Sequence, residues 1–180
     1  MAIIFLPPIP GSSAILGYIM ARFSLFQRTV LLPAPVAEVY AFHEDPRNIT
    51  RISPPSLRVE RVLCSVPACA GGEFCLKVRQ FGFPMEWVGI WEVTEPSMEA
   101  VSARARLVDG ARKSPFRHWR HHHLFEASGS STLMTDRVEY GLPGGILGRI
   151  LDATVMRVVF EIMFRARHKA TRDYFAAARK

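Results

Sequence analysis

Two histidines and an aspartate stand where they could do chemistry together. His121 and His123 are two residues apart in the stretch Ser114-Pro-Phe-Arg-His-Trp-Arg-His-His-His-Leu-Phe125, and Asp136 follows on the next alternating segment. In an extended chain alternate side chains share a face. Arg117, Trp119, His121, His123 and Phe125 then lie on one side, and Phe116, His118, Arg120, His122 and Leu124 on the other. The first face suits the wall of a largely apolar cavity holding a few polar groups. The second mixes cationic and apolar groups, as a half-solvated outer face does.

Four uses of these residues compete. They can orient a small apolar ligand by hydrogen bonds. They can form an acid–base site, since an imidazole titrates near neutrality and a carboxylate can fix its tautomer. Histidines at i and i+2 on a strand can also share a metal with a third ligand. Asp136 could supply that ligand if a hairpin at 128–131 sets its strand beside the histidines, but no Glu or Cys completes a set. Finally, the imidazoles can simply hydrogen-bond Asp136 and Tyr140 within a polar layer. Pocket binding is the favoured use, and neither a metal nor a cofactor is expected.

Around this centre lie Trp87, Trp91, Trp119, Phe125 and Tyr140, an aromatic set suited either to a cavity lining or to filled core. Pro143-Gly-Gly-Ile-Leu-Gly148 reads as a turn and helix start rather than a phosphate loop, and no serine or cysteine nucleophile motif occurs.

The elements that must position these groups follow from periodicity. Residues 26–32 form a short β-rich run. Pro35 suits a first helical position, and Val36, Val39, Tyr40 and His43 recur at helical spacing. Asp45-Pro46 restarts the chain as N-cap and N1 of a second short helix, stopped by Pro54-Pro55. From Leu57 to Tyr140 short alternating runs are separated by turn residues, which predicts an antiparallel sheet. Asp109-Gly110 reads there as the start of a loop. After Pro143-Gly144-Gly145 a helical pattern runs to about Ala178, with Leu147, Leu151, Thr154, Val158, Ile162 and Met163 as its apolar stripe. Such a helix spans roughly 45–50 Å. Its first half is expected to cover the cavity and its basic second half to lie beyond the sheet.

With 49% apolar residues in 180, the chain can build a substantial single core and is not a disordered protein. The net charge of +7 is concentrated near the end, with eight basic residues against three acidic ones after Gly145. A solvated helix face explains this better than nucleic acid, for which no motif is present, and peripheral membrane contact through this segment stays open. Cys64, Cys69 and Cys75 form an odd set without C-x-x-C spacing, which fits a reducing compartment and a cytoplasmic location. Residues 1–19 carry three prolines and match no element of the pattern, so they read as an N-terminal extension to a single domain over 20–180. They lack the basic start of a secretory signal, and the run 14–20 is too short to span a bilayer.

A strand, two small helices, about six antiparallel strands and a long C-terminal helix is the order of the helix-grip fold, an α+β architecture. Phe42-x-x-Asp45-Pro46-x-Asn48, Pro54-Pro55, Pro115-Phe116-x-x-Trp119-x-His121-x-His123-x-Phe125 and Asp136-x-Val138-x-Tyr140-x-x-Pro143-x-Gly145 together resemble the ligand-binding SRPBCC family, of the START, Bet v 1 and polyketide cyclase/dehydrase superfamily. The resemblance covers about residues 25–175. Ser114 and Ala111 depart from it, standing where similar proteins usually have glycine and often glutamine. The resemblance implies a deep apolar cavity between sheet and helix, lined by Trp87, Trp91, Trp119, His121, His123, Phe125, Asp136, Tyr140, Thr154 and Val158. It implies binding or carriage of a small hydrophobic molecule such as a lipid, quinone or polyketide. A cyclase or dehydratase using His121 and His123 with Asp136 is the alternative.

Overall fold

The structure is a computed structural model describing residues 23–96 and 103–179. The expected extension 1–19 and the first residues of the strand expected from Val101 lie outside the described residues. Strand β1 (Ser24–Leu32) leads into helix α1 (Val36–His43), a 3-10 turn (Pro46–Asn48) and helix α2 (Ile49–Ile52). Asp45 caps the turn through Oδ1, which accepts from the Arg47 backbone N–H at 3.0 Å. Six strands follow: β2 (Leu57–Cys64), β3 (Glu73–Gln80), β4 (Phe83–Glu95), β5 (Arg104–Lys113), β6 (His118–Ser128) and β7 (Ser131–Gly141). Each pairs antiparallel with the next, and β1 closes onto β7, giving the order β1-β7-β6-β5-β4-β3-β2. Helix α3 (Gly145–Leu151), a π-helical segment (Asp152–Met156) and helix α4 (Arg157–Ala177) complete the chain. This is the helix-grip α+β fold: a curved antiparallel sheet with a long C-terminal helix laid against it.

Register shifts interrupt the β4–β5 pairing at Val88/Gly89 and Trp91/Val93. Such irregularities bend a sheet and re-aim its side chains. The outward face carries exposed ion pairs, among them Arg120 with Glu92 at 2.6 Å and Arg106 with Glu95 at 2.8 Å.

The inward face holds two apolar clusters. One joins Leu32, Val39, Tyr40, Phe42, Phe125, Met134 and Phe175; the other joins Phe26, Val138, Tyr140, Phe160 and Phe164. Polar residues fall between them on three elements in register. His121 and His123 sit between Trp119 and Phe125 on β6, Asp136 between Met134 and Val138 on β7, and His168 between Phe164 and Phe175 on α4.

Three local expectations need correcting. β5 does not end at Asp109-Gly110 but runs on to Lys113. Gly110 serves close packing there rather than a turn, because a Cβ would stand 2.6 Å from Glu92 Oε1. The alternation before β6 is reversed: Phe116 packs inward on Trp119 with ring centroids 5.0 Å apart, and Arg117 is exposed. The strand begins only at His118, and the Ser114 hydroxyl accepts the Phe116 N–H at 3.2 Å in a bend before it. Lastly, the basic second half of the final helix does not project. His168, Thr171 and Phe175 are buried, with Phe175 against Phe42 at 5.3 Å.

Candidate functional site

Between sheet and α4 lies a cavity of about 440 Å³, within the usual range for small-molecule sites. Its wall combines β3 and β4 residues (Phe74, Leu76, Trp87, Trp91), β6 residues (Trp119, His121, His123) and one face of the C-terminal helix (Met156, Val159, Phe160, Met163, Phe164, Arg167). The exposed Phe81 also contributes to the lining. The strand period of two puts Trp119, His121 and His123 on the cavity side together. The helix residues recur at i, i+3, i+4, i+7, i+8 and i+11, the spacing of a single helical face.

The polar centre is built around Asp136, whose side chain is fully buried. Its Oδ1 lies 3.0 Å from His121 Nε2 and 2.8 Å from His123 Nδ1, and its Oδ2 lies 2.6 Å from His168 Nε2. Burial pushes the carboxyl up, but the three imidazoles outweigh burial and hold it well below the usual carboxylate range. Asp109 stands on the other side of the two β6 histidines. Its Oδ2 is 3.6 Å from His121 Nδ1 and 3.5 Å from His123 Nε2, and its Oδ1 accepts from Trp119 Nε1 at 3.3 Å.

The two imidazoles, with centroids 3.9 Å apart, are driven in opposite directions. Burial and the neighbouring His123 push His121 down to about 4. Burial also disfavours charge on His123, but Asp109 and Asp136 outweigh it and raise its pKa above the ordinary value. A proton on the pair therefore resides on His123. His43, on α1, also lines the cavity, with its ring 5.7 Å from that of His123. Burial pushes it down to about 3, so it is neutral; its Nδ1 donates to the Val39 carbonyl at 2.7 Å, and its Nε2 keeps a lone pair. His43 Nε2 and Trp91 Nε1 have no hydrogen-bond partner among the described residues.

Of the residues read as lining, Trp87, Trp91, Trp119, His121 and His123 border the cavity. Asp136 stands behind the histidines, while Phe125 and Tyr140 are packed into the two apolar clusters. Thr154 and Val158 require correction. Thr154 is exposed, with its hydroxyl donating to the Ile150 carbonyl at 2.8 Å, and Val158 is 57% exposed. This helix carries two apolar stripes, and the one through Leu147, Leu151, Val158 and Ile162 faces outward. The π-helical segment also breaks the 3.6-residue phase between α3 and α4.

Sequence reasoning missed Asp109, His43, Arg167 and His168 as parts of the centre. Continuing the alternation of Ala103, Ala105 and Leu107 by one step reaches Asp109. His168 follows Phe160 and Phe164 at four-residue intervals.

The fold has many solved counterparts. TTHA0849 from Thermus thermophilus superposes with a TM-score of 0.65 at 18% identity, covering 87% of this chain and 100% of that one. Zhui aromatase/cyclase from Streptomyces sp. R1128 gives 0.65 at 13% identity, covering 88% and 97%. Norcoclaurine synthase from Thalictrum flavum gives 0.61 at 8% identity, covering 88% and 97%. At these identities the likeness is one of fold. No curated protein matches the chain in sequence. The family model described as "Polyketide cyclase / dehydrase and lipid transport" matches residues 32–169, and with most of its length so covered the chain belongs to that family.

Proposed function

We propose that this protein binds a small, largely apolar molecule in the cavity between the sheet and α4. The observation that carries the reading is the cavity itself: about 440 Å³, walled by aromatic and aliphatic side chains, with a few polar groups gathered at His43, Asp109, His121, His123 and Arg167. A packed core would contain no such space. Arg167 lines the cavity with no ion-pair partner among the described residues, so a ligand bearing an acidic or strongly accepting oxygen fits best. Lipids, quinones and polyketides with such oxygens are the class we favour.

One observation supports a second reading, acid–base catalysis of the cyclase or dehydratase kind. His121 and His123 are pushed apart in pKa within one site, which is how paired acid and base roles are assigned. In that reading His123 donates a proton and neutral His121 accepts one, with Asp136 hydrogen-bonded to the His121 ring. Binding remains the favoured reading.

We take the protein to act in the cytoplasm, and the unpaired state of Cys64, Cys69 and Cys75 supports this. Among the described residues no helix is long and apolar enough to cross a membrane. Nucleic acid is not among its proposed partners, and contact of the basic C-terminal segment with anionic membrane remains a secondary proposal.

Native mass spectrometry of protein purified without denaturation, beside titration with a fluorescent apolar probe, tests the reading. A co-purified apolar molecule, or saturable probe binding at one site, is expected. Absence of both would overturn it.

A further inference from the structure

Asp109 Oδ2, His121 Nδ1 and His123 Nε2 converge on one point of the cavity wall, all three residues are buried, and the three atoms lie within 4.8 Å of one another. Of the other two ring nitrogens, His121 Nε2 is hydrogen-bonded to Asp136 Oδ1 at 3.0 Å, and His123 Nδ1 lies 2.8 Å from the same oxygen. That carboxylate draws the His121 ring proton to Nε2 and so turns the lone pair of His121 Nδ1 toward Asp109. A carboxylate oxygen and an imidazole lone pair then face one another beside a second imidazole nitrogen in a buried place, an arrangement that a cation between them would stabilise.

The separations point the same way. At 3.6 and 3.5 Å, Asp109 Oδ2 is too far from the two nitrogens for sound hydrogen bonds. Two ligands on one tetrahedral ion, each held at about 2.0–2.1 Å, stand roughly 3.3–3.4 Å apart. A carboxylate behind a ligating histidine is also the usual means of fixing its tautomer, and Asp136, itself held by His168, is in that position behind His121.

We propose that Asp109, His121 and His123 form a binding site for a divalent first-row transition-metal ion, with its remaining coordination positions open to the apolar cavity. Two imidazoles and one carboxylate suit zinc or ferrous iron rather than calcium or magnesium. Three protein ligands leave room for water or for an oxygen of a cavity ligand. This assignment does not depend on the apolar-ligand reading, because the three side chains are preassembled by the sheet.

The test uses the full chain dialysed against chelator and then titrated with Zn²⁺ and with Co²⁺. Metal retained after gel filtration is counted, and Co²⁺ visible absorption reports nitrogen and oxygen coordination. One equivalent retained, with a Co²⁺ d–d spectrum, is the expected result. Asp136→Asn should weaken binding by about 10–100-fold, and Asp109→Asn and His123→Gln by more, each with its fold checked by circular dichroism. His122→Gln, on the opposite face of β6, should leave it unchanged. Substoichiometric retention, or retention that Asp109→Asn and His123→Gln do not alter, overturns the assignment and leaves a proton as the only cation there.

Discussion

His168 Nε2 lies 2.6 Å from Asp136 Oδ2, joining the middle of the last helix to the middle of the last strand across 32 residues of chain. It is the contact by which α4 closes the polar layer that β6 and β7 begin. Both side chains are buried, and apolar clusters lie on either side, so water cannot replace the bond at low cost. The helix is therefore set on the sheet by two kinds of force. Phe160, Phe164 and Phe175 supply nondirectional burial, and the His168–Asp136 pair supplies a fixed register.

Removing the carboxylate should be costly. Asp136→Ala removes a fully buried acceptor that His121 and His168 hydrogen-bond and that lies 2.8 Å from His123. Breaking a buried charged pair from one side costs about 3–5 kcal/mol. Urea unfolding should show a loss of that order. A loss below about 1 kcal/mol would mean that the histidines find other partners.

Much of this was legible in the chain because it rests on period and punctuation. Strand alternation placed Trp119, His121 and His123 together, and the turn residues at Ser128 and Ser131 paired them with Asp136. Asp109 was hidden because Asp-Gly ordinarily turns a chain, whereas Gly110 here admits Glu92. Thr154 and Val158 were misplaced because apolar residues surround the helix on most sides, and periodicity cannot choose between two stripes. Only the packing of Phe160 and Phe164 on Phe26 decides which stripe faces inward.

The corrected helix phase is open to a direct comparison. Met163→Trp points a large ring into the cavity, which should abolish saturable probe binding. Its stability cost should stay at or below about 1–3 kcal/mol, because the space is not already filled. Thr154→Trp, on the exposed side, should leave probe binding unchanged and stability within about 0.5 kcal/mol. The opposite pattern, measured by probe titration beside denaturant unfolding, would put the helix the other way round.

Gly89 tests the sheet side of the same cavity. It pairs directly with Phe74, and a Cβ at Gly89 would fall 2.1 Å from Phe74 Cζ. Gly89→Ala must therefore push the ring aside, and the open direction is the cavity that Phe74 lines. The expected outcome is weaker probe binding with a stability cost of about 1–3 kcal/mol. Unchanged binding together with a larger loss of stability would show that the ring cannot move into the cavity.

His43 gives a pH dependence that can be read in chelator-treated protein. The groups facing it are His123 from β6, Arg167 from α4, Asp136 from β7 and the Val39 carbonyl of its own helix. Burial first, and then His123, depress it to about 3 in the folded state, against about 6.5 when unfolded. Between those values the unfolded chain binds the extra proton, so stability rises with pH across this window. The contribution of neutral His43 is complete above pH about 6.5 and is lost as pH falls toward about 3. His43→Gln cannot titrate, so its stability should fall less steeply between about pH 6.5 and 4, by up to about one proton per molecule in the linkage slope. Urea unfolding of both proteins at half-unit pH steps measures the difference. Parallel curves would mean that His43 is already solvated in the folded protein, and that α1 does not seal this end of the cavity.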